Sequence, residues 1–574
     1  MTPPRTLATC FAGLALSAAV LLAEEVIELP QFRVDEASFG KRYLYVEVPG
    51  FEILSPFDEP LTRLYAKELQ RQRAVLSFYI PDTSLNMDDV PAAIILDDKP
   101  APAGMVKSEG RSYLPAASAL GQVLAAIRGA ATPPKVSGFQ PRASTVTWFR
   151  AELPDHLMFY VSIHGFDYAR QAEGRVGMAS RAFSDLFPVS TVYTHRRPQW
   201  PGWVEFGLET LGARFYSEQT LEIRVISRLD PPPPGLRIED AFPSSFTEWP
   251  RTTVQRQAAV AFVTWAFSMP FEQALSGTPE RTLAFWRFVS DTAHERLTAE
   301  LFARHFREGD WTDFLRSWAQ WAQAQKYART PTTVATLWPE NPPRVKAITP
   351  RPATRAELAR LKGEYEWRLA RELSREAPEL TGLCLDQAKR RLLTAYNDGE
   401  RDPRFLATLA LFEADTATAE EAIPYLEAAA ATRVVRPMLY YELARIRWEL
   451  AQRGLPADAH VSVEKVRTAL ESLNIAHAQA PALLESFRLA SAAWNRCEAL
   501  PTPDELTAVT VGTRLFPRDA VLAYNTALLN LKCGNWAKAE ALATEALALE
   551  PDSSNLHAPL EKLVAAIHRT RLQQ

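Results

Sequence analysis

Trp200-Pro201-Gly202-Trp203-Val204-Glu205-Phe206-Gly207-Leu208-Glu209 is the stretch on which the reading of this chain turns. The run has helical composition, and Glu205 and Glu209 stand four residues apart on one helix face. Carboxylates at that spacing are more naturally a solvated face than an acid–base pair. Tryptophan is concentrated around this stretch: eight of the fourteen fall between Trp200 and Trp321. Trp311, Trp318 and Trp321 follow one another at helical spacing, which favours a packed core face over an aromatic ligand platform.

The chain has 574 residues, enough for two or three domains with real cores. Its 47% hydrophobic and 23% charged content is that of a globular protein. A net charge of -4, with no basic stripe interleaved with aromatics, excludes a nucleic-acid or membrane-surface partner. At the N-terminus, Arg5 precedes the apolar run Phe11 to Leu22, followed by Ala23 and the acidic pair Glu24-Glu25. This pattern predicts a secretory signal peptide over 1–23, cleaved after Ala23, and an exported, periplasmic or extracellular protein. The run is short of the roughly 20 residues that span a bilayer, and no later segment approaches one, so no stable membrane span is expected. Removing the leader takes Cys10 and leaves Cys384, Cys497 and Cys533. Their spacing suits no zinc site, and in helical surroundings they read as buried free thiols.

Four further regions are legible. Residues 24–145 read as mixed α/β, with strands at Tyr43–Val48, Phe51–Ser55 and Ala92–Leu96. An amphipathic helix runs from Leu61 to about Leu76, on the apolar positions Leu61, Leu64, Tyr65 and Leu69. Residues 146–328 open on strands at Thr145–Phe149 and Leu157–Ile163 and then read as helical throughout, interrupted by the stiff spacer Pro231-Pro232-Pro233-Pro234-Gly235. Residues 329–354 hold six prolines and read as a linker. From 355 to 574 the chain reads as nearly all helix. Pro403 and Pro437 are 34 residues apart, as are Pro517 and Pro551, which is the tetratricopeptide period. In the last unit Ala527, Ala539 and Ala546 take the small-residue positions, and Gly534 with Trp536 marks the turn. The expected fold is therefore an α+β domain with a mixed sheet and many helices, followed by an all-α solenoid of tetratricopeptide-like hairpins, with helix predominating.

The Trp203–Gly207 segment resembles the W-x-x-E-G-L-A segment of gluzincin-type metallopeptidases of the peptidase-MA-like class. Phe51–Ser55 followed by a long helix is similar to the N-terminal part of the same bacterial family. In that family the Glu of the segment is the third zinc ligand, and here Phe206 stands in its place. The other two ligands belong to H-E-x-x-H, where i, i+4 spacing puts both imidazoles on one helix face and the Glu activates the metal-bound water. No two of the nine histidines are four apart, and only His294 is followed by Glu. The resemblance implies that the motif helix precedes Trp200, at Phe183-Ser184-Asp185-Leu186-Phe187. Both histidines would then be Phe183 and Phe187, and the general base Ser184. Apolar residues at every ligand position argue for a filled core, with no metal and no cofactor.

Other constellations are weaker. Asp185, Glu205 and Glu209 are candidate carboxylates, and His195-Arg196-Arg197 is more naturally a surface cluster than an anion site. His156 and His164 fall eight residues apart on one face of a strand and read as structural. The reading that follows is an exported, non-catalytic scaffold that binds a protein or peptide partner on the concave face of its helical repeats. The alternative is an extracytoplasmic metal-dependent or carboxylate-based hydrolase using His195 with Glu205 or Glu209.

Overall fold

The computed structural model describes residues 43–76, 80, 90–97, 106–108, 111–113, 145–164, 200–215, 221–225, 229–243, 250–268, 280–306, 310–326, 332–337, 347–376, 378–456, 459–550 and 554–573. The expected signal peptide lies outside these residues. The protein is helix-rich, with nineteen helices and a mixed sheet among the described residues.

Strands β1 (Leu44–Val48) and β2 (Phe51–Ser55) form an antiparallel hairpin. Helix α1 (Glu59–Leu76) then carries the chain to β3 (Ala92–Asp97), which lies parallel to β2. A short hairpin, β4 (Val106–Ser108) and β5 (Arg111–Tyr113), forms a separate two-stranded sheet beside β6. β6 (Thr145–Leu153) and β7 (His156–His164) pair antiparallel, and β7 joins β3 in parallel.

Side chains alternate across these strands, and both faces are covered. Val46, Val48, Phe51, Ile53, Ile94, Leu96, Phe159 and Val161 point into the larger core. Tyr45, Leu54, Ala93, Ile95 and Met158 form the opposite face. Near-continuous apolar runs such as Ala92–Leu96 are the signature of strands buried on both sides.

The larger core is built by α2 (Gly202–Glu209), α3 (Ile238–Ala241), α4 (Thr253–Phe267), α5 (Glu280–Asp291), α6 (Ala299–His305) and α7 (Trp311–Lys326). Helix α4 starts on a capping box between Thr252 and Gln255 and is buried at every residue from Ala258 to Phe267. Eight aromatic rings surround Phe262 with centroids between 5.4 and 5.9 Å away. Trp311 and Trp318 are buried here, as their spacing predicts. Their indole N–H groups donate to the carbonyls of Leu236 (2.8 Å) and Asp230 (2.7 Å), so the four-proline run between those residues is held against the core at both ends.

Two expectations are corrected. The helical run expected after His164 is broken by β8 (Leu211–Phe215) and β9 (Leu221–Val225), which pair antiparallel. Leu221-Glu222-Ile223-Arg224-Val225 alternates with period two, a strand signal overridden in the reading by the surrounding helical composition. The proline-rich stretch is not a free spacer either. Within it, β10 (Thr332–Leu337) pairs with β9, and β11 (Arg351–Pro352) pairs with β1 at the sheet edge. Proline is tolerated there because an edge strand has an N–H side with no ladder to complete. The six-stranded order is β11-β1-β2-β3-β7-β6.

Helix α8 (Arg355–Glu376) follows directly and packs Leu358, Leu361 and Tyr365 onto the second face of the sheet. Then come α9 (Pro378–Asn397), α10 (Pro403–Thr416), α11 (Ala419–Ala431), α12 (Pro437–Gln452), α13 (Val463–Leu470), α14 (Leu473–His477), α15 (Leu484–Asn495), α16 (Pro503–Leu515), α17 (Ala520–Lys532), α18 (Trp536–Leu549) and α19 (His557–Gln573). Each packs on its near neighbours along the chain. Residues 43–574 form one compact unit, with no division at the proline stretch.

Candidate functional site

Helix α2 is short and almost wholly interior. Trp203, Val204, Phe206 and Leu208 belong to the larger core, and Trp203 lies 4.5 Å from Phe242 and 5.4 Å from Phe262, ring to ring. Phe206, at the position where the resemblance implies a metal ligand, is 7% exposed. A Cβ at Gly207 would sit 2.5 Å from Val263 Cγ2 and 2.8 Å from the carbonyl oxygen of Ala259. Gly207 is therefore the point where α2 lies directly on α4, and only glycine fits.

The expected solvated face of α2 is corrected in part. Glu205 is 8% exposed, in the first turn of the helix, where a carboxylate is favoured by the helix dipole. Glu209 closes the helix, and its side chain is not described. Phe183, Ser184, Asp185, Phe187 and His195 lie outside the described residues. Among the described residues, no group of three or more His, Cys, Asp and Glu is arranged to hold a metal ion.

The polar constellation that the structure does assemble lies elsewhere, between the sheet and the helices that follow it. Glu52 on β2 accepts from Tyr45 Oη at 3.0 Å and is held by both terminal nitrogens of Arg360 on α8, Nη1 at 2.7 Å. One turn on, Glu364 meets Arg368, Arg436 Nη2 at 2.7 Å and His156 Nδ1 at 2.8 Å. Thr408 on α10 donates to its other oxygen. Asp155, in the β6–β7 turn, faces Arg436 Nε at 3.1 Å and accepts from the Met438 amide at the start of α12. Arg368 also reaches the carbonyl oxygen of His156 at 3.0 Å. At the rim, half-exposed Arg404 pairs with Glu47.

Three carboxylates and three guanidiniums thus balance, with every one of these six side chains 5% exposed or less. Burial alone would raise the Glu52 and Glu364 carboxyls, but Arg360 holds the first below the ordinary range and Arg368 and Arg436 hold the second well below it. His156 is 1% exposed. Burial, aided by the cations of Arg436 and Arg368, depresses it to about 4, so the ring is neutral near pH 7. Burial also lowers Arg368 to about 10.

Chemically, a His–Glu pair of this geometry resembles an acid–base dyad, but both groups are enclosed in the interior, and Glu52 and Glu364 already accept from guanidinium donors. The cluster holds two packing layers in register. Sequence reading missed it because its members are scattered over residues 52, 155, 156, 360, 364, 368 and 436. The one local signal was Arg360, Glu364 and Arg368 at i, i+4, i+8, which ordinarily marks a solvated helix face.

The cysteines depart from expectation in place more than in state. All three are free, with Cys384 and Cys497 buried and Cys533 half-buried. Cys497 lies outside any helix, in an isolated bridge with Val461. Comparison with family models, curated proteins and solved structures finds no match to this chain.

Proposed function

We propose that this protein is an exported, non-catalytic scaffold whose tetratricopeptide-like helix hairpins take a protein or peptide partner, attached to a peptidase-like α+β body that has lost its zinc site. The observation that carries this reading is Phe206. The residue at the implied ligand position is an aromatic side chain inside a close-packed core, on a helix pressed against α4 through Gly207. A metal ligand needs a lone pair and an opening for substrate, and an interior phenylalanine supplies neither.

The hairpin α17–α18 supports the repeat component. Ala527, Ala539, Ala543 and Ala546 are buried where the two helices meet, and the turn between them uses Gly534 at φ 78, a left-handed conformation that favours glycine. Stacked hairpins of this kind bury a continuous core and leave an extended surface for a partner.

Elemental analysis of the dialysed mature protein tests the first half: the expected value is far below one zinc per chain, and a value near one overturns the reading. Photo-crosslinking from exposed Ile475 or Val521 in the native host tests the second half. A discrete crosslinked protein is expected, and its absence at both positions removes the adaptor role.

A further inference from the structure

Among the described residues, the helical array touches the α+β body at two places of different character. The first is the root described above, where α8, α10 and α12 meet the sheet through apolar packing and the buried ion cluster. The second lies far along the chain, between the α5–α6 turn and the end of the array. Arg296, in that turn, donates Nε to the Ala548 carbonyl oxygen at 2.8 Å and Nη2 to that of Glu550 at 2.7 Å, at the C-terminal end of α18. In the opposite direction Arg518, between α16 and α17, donates Nε to the Thr292 carbonyl oxygen at 3.0 Å and Nη2 to that of Glu295 at 2.5 Å. His294 Nδ1 lies 3.1 Å from Glu545 Oε1, with both side chains about half exposed.

The two arginines are reciprocal. Each comes from one side and caps carbonyl groups left over at or just beyond a helix C-terminus on the other. A cation there is favoured by the helix dipole, and the interaction is weakened by salt where water reaches it. Water reaches Arg296, His294 and Glu545, which are exposed, whereas the root ions are not. Helical arrays in which each unit touches its near neighbours bend at low cost, because strain is spread over many interfaces.

We infer that Thr292–Arg296 is a releasable clasp on the last helices of the array: the α16–α17 loop and the end of α18 detach from it at raised ionic strength while the root stays formed. The clasp goes beyond the scaffold reading and does not depend on it, since it concerns only contacts within the chain. Its opening uncovers the carboxyl-terminal end of α18 together with the part-buried guanidinium of Arg518.

Hydrogen exchange of the full chain, read by mass spectrometry in low and high salt, tests the clasp. Amides around 292–298 and 545–550 are expected to exchange about tenfold faster in high salt, with β2, β3 and β7 unchanged. Arg296→Ala should give the same pattern in low salt. His294→Glu, which faces Glu545 with like charge, should do so as well, and adding Glu545→Lys should restore slow exchange. Unchanged exchange at both segments overturns the clasp. So does acceleration that spreads into the sheet, because the contact would then be integral to the fold; failure of the charge swap to restore protection overturns it too.

Discussion

Phe206 and Glu364 occupy opposite kinds of interior, and each makes a testable demand. Phe206→Glu would place a carboxyl inside an aromatic core. The carboxyl would lose its hydration without a partner, at a cost of about 3 kcal/mol or more. A urea-unfolding midpoint equal to wild type would show that Phe206 is not interior. Glu364→Gln leaves Arg368 and Arg436 buried without their shared counter-charge, and should destabilise by about 3–5 kcal/mol. His156 sets the acid response. Its folded value, about 4, lies below the ordinary 6.5, so between those values the unfolded chain binds the proton and the native ring does not. Stability is therefore full above about pH 6.5 and falls as pH drops towards 4. Burial depresses His477 in the same way, so the two act over one window. Below it, protonation of Glu52 and Glu364 continues the loss. His156→Gln should flatten the stability slope between pH 6 and 4.5 by up to one proton, measured by urea unfolding across that range. An unaltered slope would mean that the ring is already protonated in the fold.

At the scale of elements, the close contacts lie where small residues allow them. Gly207→Ala drives a methyl into Val263 and the Ala259 carbonyl, and since backbone cannot swing aside as a side-chain end does, a loss of about 1–3 kcal/mol is expected in thermal or urea unfolding. Helices α11 and α16 begin on capping boxes, Thr418 with Glu421 and Thr502 with Glu505, both visible in the sequence as Thr-x-x-Glu. Strands β1 to β3, helix α1 and the β6–β7 pair were legible because period-two and period-3.6 patterns report local burial directly. Strands β8 to β10 were harder to see. Their pattern occupies five or six residues within helical or proline-rich surroundings, and sheet pairing supplied what local pattern lacked.

For the whole molecule, the proline stretch matters most. Read along the chain it separates two domains, yet β11 extends the first sheet and α8 immediately covers its second face. Residues 355–574 produced alone would expose Leu358, Leu361 and Tyr365 and leave Arg360, Glu364 and Arg368 without Glu52, Asp155 and His156. Such a fragment should aggregate or be cleaved rapidly at α8 in limited proteolysis. A stable, soluble fragment with α8 protected would mean that the sheet contact is dispensable.

By itself the sequence determined what near neighbours enforce: the alternating strands, the amphipathic and capped helices, the small residues of the last hairpin, and the absence of a histidine pair at helical spacing. Those properties depend on residues one to four positions apart, and the chain records them in order. Only the tertiary structure decided that Glu205 is buried, that a proline-rich edge strand joins two apparent domains, and that seven titratable side chains from distant segments close into one buried cluster. Charge pairing and burial act across space without regard to separation along the chain, so a single sequence holds the partners but not the pairing.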